Sequence, residues 1–302
     1  MVFARRVSFG LLSVLVLSCF LCLLSACGSP TSASSDGIVK VVAAENFYGD
    51  LTRQLGGNHV SVTSILSDPN VDPHTYQSNV QTGITVSQSN LVIENGGGYD
   101  DWMDKILAGS PNSSRLLLKG FDIAQNKLPD NEHVWYSFVN IATIAQAVTA
   151  DLKKLDPADT TTFENNLQTF QRSLQPLQQK ITDIKSRFQG TPVGLTETIY
   201  LYQAQPEGLN VLTPFAFQKA IAEGNDPAAD AVITATDQIT QHQIKILIYN
   251  EQTITPVTTN LENLARSNGI PVVPVTETMP PDTTYQTWMM DELNALEAAL
   301  AR

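Results

Sequence analysis

Both halves of the sequence alternate short apolar runs with helix-like stretches, and this alternation limits the possible folds more than any other feature. Short β-rich runs separated by helical periodicity are typical of parallel sheets covered by helices. The candidate strands are residues 38–44, 60–66, 90–95 and 115–120 in the first half and 192–197, 244–250 and 269–277 in the second. We therefore predict an α/β fold with two lobes, residues 38–156 and 189–302, each with a mainly parallel sheet covered by helices.

One amphipathic stretch lies between the two halves. Asp156 and Pro157 are typical of a helix start, because a carboxylate can cap the helix and proline suits its first turn. Beyond them, apolar side chains recur at alternating steps of four and three: Phe163, Leu167, Phe170, Leu174, Leu177, Ile181, Ile184 and Phe188. This stripe predicts one long helix over residues 157–188, roughly 48 Å long and kinked at Pro176, which joins the two lobes. A coiled-coil partner would explain the same stripe.

The first 27 residues have the form of a secretory signal, with two arginines ahead of a long apolar run. The run ends in the sequence LSAC, which resembles the lipobox of bacterial lipoproteins and implies cleavage before Cys27 and a lipid on its sulfur. Residues 28–37 then form a polar, flexible tether. An uncleaved membrane helix is the alternative, because the apolar run approaches the length of a membrane span.

Cysteine content and charge exclude several classes of function. Cys19 and Cys22 lie inside the signal, so the mature chain keeps only Cys27 and has no disulfide framework or thiolate nucleophile. The formal net charge is -12, and removal of the signal with its two arginines leaves -14. A chain this acidic is a poor candidate for nucleic-acid binding.

Two apolar runs of the second half end in the same tripeptide, Thr-Glu-Thr, which contains Glu197 in one case and Glu277 in the other. In the first half, His74 and His133 lie in short loops. Taken singly, a histidine or a strand-end glutamate is more often structural than a ligand. In open α/β sheets, however, ligands bind beyond the carboxyl ends of the strands. We therefore predict that the four side chains face one another across a cleft.

Seven stretches carry a resemblance to a known family. They are AAENFYGDLTRQLGG (43–57), PNVDPHTYQ (69–77), NLVIENGGGYDDWMDKIL (90–107), EHVWYS (132–137), TETIYLY (196–202), ILIYNEQ (246–252) and VTETMPPDTTYQTWM (275–289). In this order they resemble the metal-binding lipoproteins that serve bacterial ABC importers for zinc and manganese, the cluster A-I or helical-backbone metal receptors. The resemblance implies that His74, His133, Glu197 and Glu277 are the metal ligands.

The sequence departs from the family pattern in three ways that bear on the metal. NEH replaces the usual DPH before Trp135, Glu277 replaces a common aspartate, and the histidine-rich loop of many zinc-specific members is absent. Two histidines with two carboxylates resemble the manganese-binding members and suit manganese, iron or zinc. Zinc has the higher intrinsic affinity for such sites. We expect one Mn²⁺ ion as the transported ligand and favour it only slightly over Zn²⁺.

Other polar residues have lesser predicted roles. The residues that adjoin the proposed ligands, including Glu251, are candidates for contacts that orient them. The flanking threonines of this group are Thr196, Thr198, Thr276 and Thr278. His59 and His242 lie in polar, surface-like stretches, and we expect neither to bind a ligand.

The resemblance implies an extracytoplasmic substrate-binding protein, lipid-anchored at the outer face of the bacterial cytoplasmic membrane, that delivers a metal ion to the permease of an ABC importer. We expect a monomer that catalyses no reaction.

A metal-dependent hydrolase is one alternative, since such ligands with an open position could activate water, although the sequence has no HExxH motif. A receptor for a larger solute such as a siderophore is another. It would use aromatic walls, yet the spacing of Tyr99, Trp102 and Trp135 is typical of core packing.

Overall fold

The structure is a computed structural model that describes residues 37–68, 71, 73 and 76–302. The predicted signal with Cys27, most of the predicted tether and His74 lie outside these described residues. From Gly37 to Arg302 the chain forms one compact unit. No helix in this described part has both the length and the apolar composition needed to cross a membrane.

Within the described residues, two four-stranded sheets form, one in each half of the chain. The strands are β1 (Val39–Glu45), β2 (Val60–Leu66), β3 (Leu91–Glu94), β4 (Leu116–Lys119), β5 (Pro192–Leu195), β6 (Asn210–Val211), β7 (Ile246–Asn250) and β8 (Val272–Val275). Their orders are β2-β1-β3-β4 and β6-β5-β7-β8, and every neighbouring pair is parallel. The predicted α/β class with two parallel sheets is confirmed.

Helices follow most strands, as parallel connections require. They are α1 (Asn46–Gly56), α2 (Val80–Ser87), α3 (Asp101–Gly109), α4 (Gly120–Ile123), α5 (Phe138–Leu155), α6 (Thr160–Ser173), α7 (Gln175–Phe188), α8 (Leu201–Ala204), α9 (Phe215–Ala222), α10 (Ala229–Thr240), α11 (Pro256–Ser267) and α12 (Tyr285–Leu300). Several of these helices begin with a hydroxyl side chain that caps the helix. The side chain of Ser137 accepts from the backbone of Asn140 at the start of α5, and Thr284 accepts from Thr287 at the start of α12.

One hydrophobic core extends through both lobes. It includes Val41 from the first sheet, Leu195 and Val275 from the second, and Phe170 from the segment between them. The C-terminal helix α12 packs against β8, α7 and α1, so it contacts both halves of the chain. The two sheets are therefore joined by continuous apolar packing, in addition to the covalent connection.

The segment predicted as one long helix is divided in the structure. A 3₁₀ turn, Pro157–Asp159, precedes α6, and Leu174 separates α6 from α7. The division falls two residues before Pro176, where a missing N–H and a clash with the preceding turn were expected to kink the helix. The expected cap by Asp156 is wrong, because its side chain makes no capping hydrogen bond. The assignment of residues 38–156, 157–188 and 189–302 as separate domains stays a prediction.

A close approach at Gly120 gives a test of the packing in the first lobe. A Cβ atom at this position would overlap the hydroxyl of Tyr48 and lie 2.8 Å from its Cζ. Tyr48 is fully buried and its hydroxyl donates to Oδ1 of Asn95 at 2.8 Å, so it has no room to move away. We expect Gly120→Ala to lower the free energy of unfolding by about 1–3 kcal/mol, measured by urea denaturation.

Gly109 provides the matched control. It also lies in a helix, but a Cβ atom added there meets no atom within 4 Å. Gly109→Ala should leave the stability unchanged or raise it by up to about 1 kcal/mol, because alanine has the higher helix propensity. Equal stabilities of the two variants would contradict the proposed clash.

Candidate metal centre

Three of the four predicted ligands lie together where the two lobes meet. Nε2 of His133 is 3.3 Å from Oε1 of Glu197, and one ligand atom from each of His133, Glu197 and Glu277 lies within 4.8 Å of the other two. None of the three residues is more than 1% exposed. The fourth predicted ligand, His74, lies outside the described residues.

Parallel strands bring the two glutamates to one edge of the second sheet. Glu197 follows the end of β5 and Glu277 follows the end of β8, while β7 lies between these strands. β7 ends at Asn250, whose side-chain amide donates to Oε2 of Glu197 and, at 2.7 Å, to Oε1 of Glu277. Thr253 donates to the same Oε1 at 3.0 Å. The amide of Asn250 therefore bridges two carboxylates that would otherwise repel each other.

A short loop of the first lobe orients His133. Oδ1 of Asn131 accepts from the backbone N–H of His133 at 3.1 Å and lies 3.0 Å from its ring Nδ1. The amide of Asn131 also donates to the backbone carbonyl of Thr198 at 2.8 Å, across the lobe interface. Because Nδ1 faces an acceptor, the other ring nitrogen is directed at the glutamates, as in many metal-binding histidines. Asn131 of the NEH sequence thus fastens this loop.

The charges of the cluster are coupled through the proton of His133. Burial alone would lower the pKa of His133, but the carboxylates of Glu132, Glu197 and Glu277 raise the pKa to about 9. In the metal-free protein the imidazolium therefore offsets part of the negative charge of the two buried glutamates. A divalent cation among the same three side chains would replace that proton and offset more of the charge.

Tyr99 brings another donor to the site from the first lobe. Its hydroxyl donates to Oε2 of Glu277 at 2.9 Å. The three residues before it, Gly96–Gly98, have φ values of 73°, 69° and 95°, which glycine adopts without strain. Asp100 closes the loop, since its carboxylate accepts from the N–H groups of Asn95 and Gly96 at 2.7 Å each. The glycine run therefore positions Tyr99 against Glu277.

The residues beside Glu197 have different roles. Oγ1 of Thr198 lies 3.4 Å from Nδ1 of His133. Oγ1 of Thr196 accepts from the backbone N–H of Asn250 at 3.1 Å and so helps to place the bridging amide. Glu251, a candidate from the sequence, is exposed, and the preceding residue Asn250 is the one that enters the site.

Hydrogen bonds hold the loop that contains Glu277 (the Glu277 loop, residues 276–279) on both sides of that residue. Thr276 donates its N–H to Oε1 of Glu292 at 3.0 Å and accepts at Oγ1 from the indole of Trp288 at 3.0 Å. Thr278 exchanges two hydrogen bonds of 2.8 Å with the side chain of Gln252. These threonines hold the backbone on either side of Glu277.

The described residues that flank His74 are tied to the first lobe. The carbonyl of Pro73 accepts from the indole of Trp102 at 3.2 Å. The ring of Tyr76 packs on Trp102 with centroids 4.6 Å apart, and its hydroxyl lies 3.3 Å from Oγ1 of Thr82. Trp102 belongs to a buried apolar cluster, as its sequence spacing indicated.

Hydrogen bonds also close the lobe interface around the site. The side chain of Asn46 exchanges bonds of 2.6 and 2.9 Å with the backbone of Met279. Asp50 accepts from the N–H of Tyr285 at 2.9 Å, and the hydroxyl of Tyr285 donates to the carbonyl of Trp135 at 2.6 Å. These contacts join α1 and the His133 loop to the Glu277 loop and α12, so the lobes are held together at the site itself.

The fold and the cluster define a two-lobed α/β protein whose buried interface brings together side chains of the kinds that bind divalent metals. The model of the family described as zinc-uptake complex component A, periplasmic (ZnuA), matches residues 41–299, and the chain belongs to this family.

Individual relatives agree with this membership. The chain is 27% identical over 197 residues to the metal ABC transporter substrate-binding lipoprotein SsaB of Streptococcus sanguinis. This alignment covers 61% of this chain and 62% of that protein. It is 26% identical over 176 residues to the manganese-binding lipoprotein MntA of Bacillus subtilis, 56% of each chain. The matched region thus spans about three fifths of the length of these relatives.

Solved structures share the fold. The periplasmic zinc-binding protein TroA from Treponema pallidum superimposes with a TM-score of 0.76 at 17% identity, over 88% of this chain and 100% of that chain. FpvC from Pseudomonas aeruginosa, solved in complex with Mn²⁺, superimposes with a TM-score of 0.73 at 17% identity, over 88% and 99%. At this identity the similarity shows the architecture alone.

Glu292 gives a test of how the Glu277 loop is held. Burial raises the pKa of Glu292 to about 8, although Thr276, Tyr136 and Trp288 donate to it. The folded state therefore keeps a proton that the unfolded state releases above its ordinary pKa of 4.5, so stability declines as the pH rises from there through about 8. Glu292→Gln should reduce this loss, measured as urea midpoints of the metal-free protein between about pH 5 and about pH 9.

The exposed Asp226 supplies the control, because its charge is not among the causes of the raised pKa of Glu292, so Asp226→Asn should leave the effect of Glu292 in place. Some loss of stability should remain in Glu292→Gln, because Glu94 and His133 also have raised pKa values, about 7 and about 9. A pH profile of Glu292→Gln that matches the wild type would contradict the assignment.

Proposed function

We propose that the protein is an extracytoplasmic substrate-binding protein of an ABC importer, which captures one divalent transition metal ion between its lobes and delivers it to the membrane permease. The observation that carries the proposal is the meeting of His133, Glu197 and Glu277 in one buried cluster within 4.8 Å. The family membership and the names of the relatives support it.

The ligand set supports a hard or borderline divalent ion. Two carboxylates and an imidazole, with His74 as the proposed fourth ligand, provide oxygen and nitrogen atoms and no thiolate. Two negative charges buried together match a divalent cation better than a larger organic solute. Similar proteins are named for manganese, iron and zinc. The carboxylates favour Mn²⁺, whereas the intrinsic affinity order favours Zn²⁺.

We propose that a cavity beside the cluster is the route by which the ion enters. A cavity of about 380 Å³ is lined by Tyr99 and Glu132, which adjoin the site, and by Ala222 and Glu223 from the second half. Its wall also includes Asp101 and Lys105, so three acidic residues face one basic residue there, and the excess negative charge would attract a cation. Because hydrogen bonds and a shared core join the lobes, we propose that release involves local movement of loops rather than wide opening of the lobes.

The remaining parts of the proposal concern location and partners. We propose that a lipid on Cys27 anchors the protein at the outer face of the bacterial cytoplasmic membrane and that the polar segment after it is a tether. The named lipoproteins among the relatives support the anchor. The partner would be the permease of the importer, and the protein would act as a monomer without catalysing a reaction.

Replacement of Glu277 tests the metal site. The full chain, purified in detergent and stripped with chelator, should bind Mn²⁺ or Zn²⁺ at the buried site with a rise in melting temperature, because the ion binds only the folded state. Glu277→Gln keeps the volume but removes a charged ligand, and it should weaken binding at this site by at least about tenfold. Isothermal titration calorimetry with each ion separately measures the affinity, and thermal denaturation measures the rise in melting temperature.

Glu251→Gln is the matched control, because it replaces an exposed glutamate of the same lobe and should bind as the wild type does. Circular dichroism establishes that both variants fold. If folded Glu277→Gln binds both ions with wild-type affinity, the proposed ligand set is wrong. Comparison of the two measured affinities would show whether the site binds Mn²⁺ or Zn²⁺ more tightly.

Metal affinity should fall as the pH falls. His133 must lose its proton to bind the ion, and its pKa in the metal-free protein is raised to about 9. Below that pH each unit should reduce the apparent affinity about tenfold, hence about a hundredfold from pH ~8 to pH ~6. Competition with a metal-sensitive dye measures the change. An affinity that stays constant over this range would show that His133 is not a ligand.

A further inference from the structure

A second group of potential metal ligands lies away from the lobe interface. His59 ends the 3₁₀ turn between α1 and β2, and Asp156 and Asp159 lie at the 3₁₀ turn between α5 and α6. Nδ1 of His59 is 2.9 Å from Oδ2 of Asp159 and 4.0 Å from Oδ2 of Asp156. One ligand atom from each residue lies within 4.8 Å of the other two.

Both aspartates occupy capping positions but do not cap. Asp156 precedes the 3₁₀ turn Pro157–Asp159, and Asp159 precedes α6. Aspartate at such a position usually accepts a hydrogen bond from the helix backbone. Neither side chain does so here, and both carboxylates are directed at His59 instead.

A single proton on His59 does not satisfy both aspartates. Nδ1 can donate one hydrogen bond, and Asp159 at 2.9 Å is in position to receive it. Asp156 at 4.0 Å is too distant for a hydrogen bond. Its side chain is only 8% exposed, and the structure shows no hydrogen bond to this carboxylate from any described residue. Among the described residues, the carboxylate of Asp156 therefore has no hydrogen-bond donor, although its side chain is mostly buried and lies beside His59.

A divalent cation would serve all three side chains. Zinc lies about 2.0–2.2 Å from imidazole nitrogen and carboxylate oxygen, so two ligands of one ion can be up to about 4.4 Å apart. The separations of 2.9 and 4.0 Å from His59 fall inside this limit. Two carboxylates and a neutral imidazole carry two negative charges, which a divalent ion neutralises and a single imidazolium does not.

The surrounding structure holds the ligands in place. The ring of His59 packs edge-on against the buried ring of Phe163 on α6, with centroids 5.8 Å apart. The amide of Asn166, also on α6, donates to the carbonyl of Leu55 in α1 at 2.9 Å. The end of α1 and the middle of α6 are thus joined by a hydrogen bond, so the cluster does not depend on mobile side chains alone.

We propose that His59, Asp156 and Asp159 form a second cation site that takes Zn²⁺ or a similar divalent transition ion, with water completing the coordination. The site is separate from the cluster at His133 and does not depend on the proposed function. An ion there would cross-link the end of α1 to the first turn of the segment that joins the two halves. This proposal differs from the expectation that His59 binds no ligand.

The count of bound zinc ions tests the proposal. The full, untagged chain in detergent is stripped with chelator and dialysed to equilibrium against Zn²⁺, and bound metal is measured by atomic spectrometry. We expect two equivalents for the wild type and one for His59→Gln. Glu197→Gln combined with Glu277→Gln should remove the other equivalent, and the addition of His59→Gln to this pair should remove both.

Two further variants make the result specific. Asp159→Asn, whose side chain is 32% exposed, should also lose one equivalent, and it decides the question if His59→Gln does not fold. His242→Asn is the control, because this histidine is exposed with a φ of 53° that asparagine tolerates, and it should bind as the wild type does.

The outcomes separate this site from the buried one. A wild type that binds one equivalent, lost in His59→Gln but kept in the double glutamate variant, would support the second site and contradict the proposed receptor function. Folded His59→Gln and Asp159→Asn that both bind as many ions as the wild type would overturn the proposal. An equal loss in His242→Asn would overturn it as well, because the binding would then be non-specific.

Discussion

Two carboxylates buried in one interface constrain the rest of this structure. Burying an unpaired charge costs on the order of several kcal/mol, so Glu197 and Glu277 require donors or a cation close by. Asn250, Tyr99 and His133 supply them, and each comes from a different element of the fold. The two lobes must therefore stay close enough for Tyr99 and His133 to reach the glutamates, because these contacts are lost if the lobes separate.

The interface between the lobes meets this requirement by apolar packing and by hydrogen bonds together. One core passes through both sheets, and α12 contacts elements of both halves. Asn46, Asp50 and Asn131 each bond across the interface with a different part of the second half. Wide opening would break all these contacts at once, whereas local movement of a loop breaks few. A site built in this way suits a small metal ion that replaces the proton of His133, because this exchange changes the volume of the site very little.

The sequence was sufficient to predict the class of fold and the position of the two glutamates at the ends of strands, because both depend on local patterns. Strand-forming runs show in composition, and the polar residue after such a run lies at the edge of the sheet. The same reasoning applied to the run ILIYN would have found Asn250. Asn131 carried no such signal, because no periodicity shows where a loop side chain points. Tyr99 was assigned to the core, and it is indeed buried, but its hydroxyl also reaches Glu277.

The order of elements, the parallel sheets and the kinds of side chain available as ligands follow from the sequence alone, since these depend on neighbouring residues and on side-chain chemistry. Which polar groups meet follows from the packing of the whole chain. Glu277 receives a bond from Tyr99, which lies 178 positions away, and His59 faces two aspartates from the far end of the first half. Such pairs form because packing of the whole chain brings distant segments together, and no local pattern records that distance.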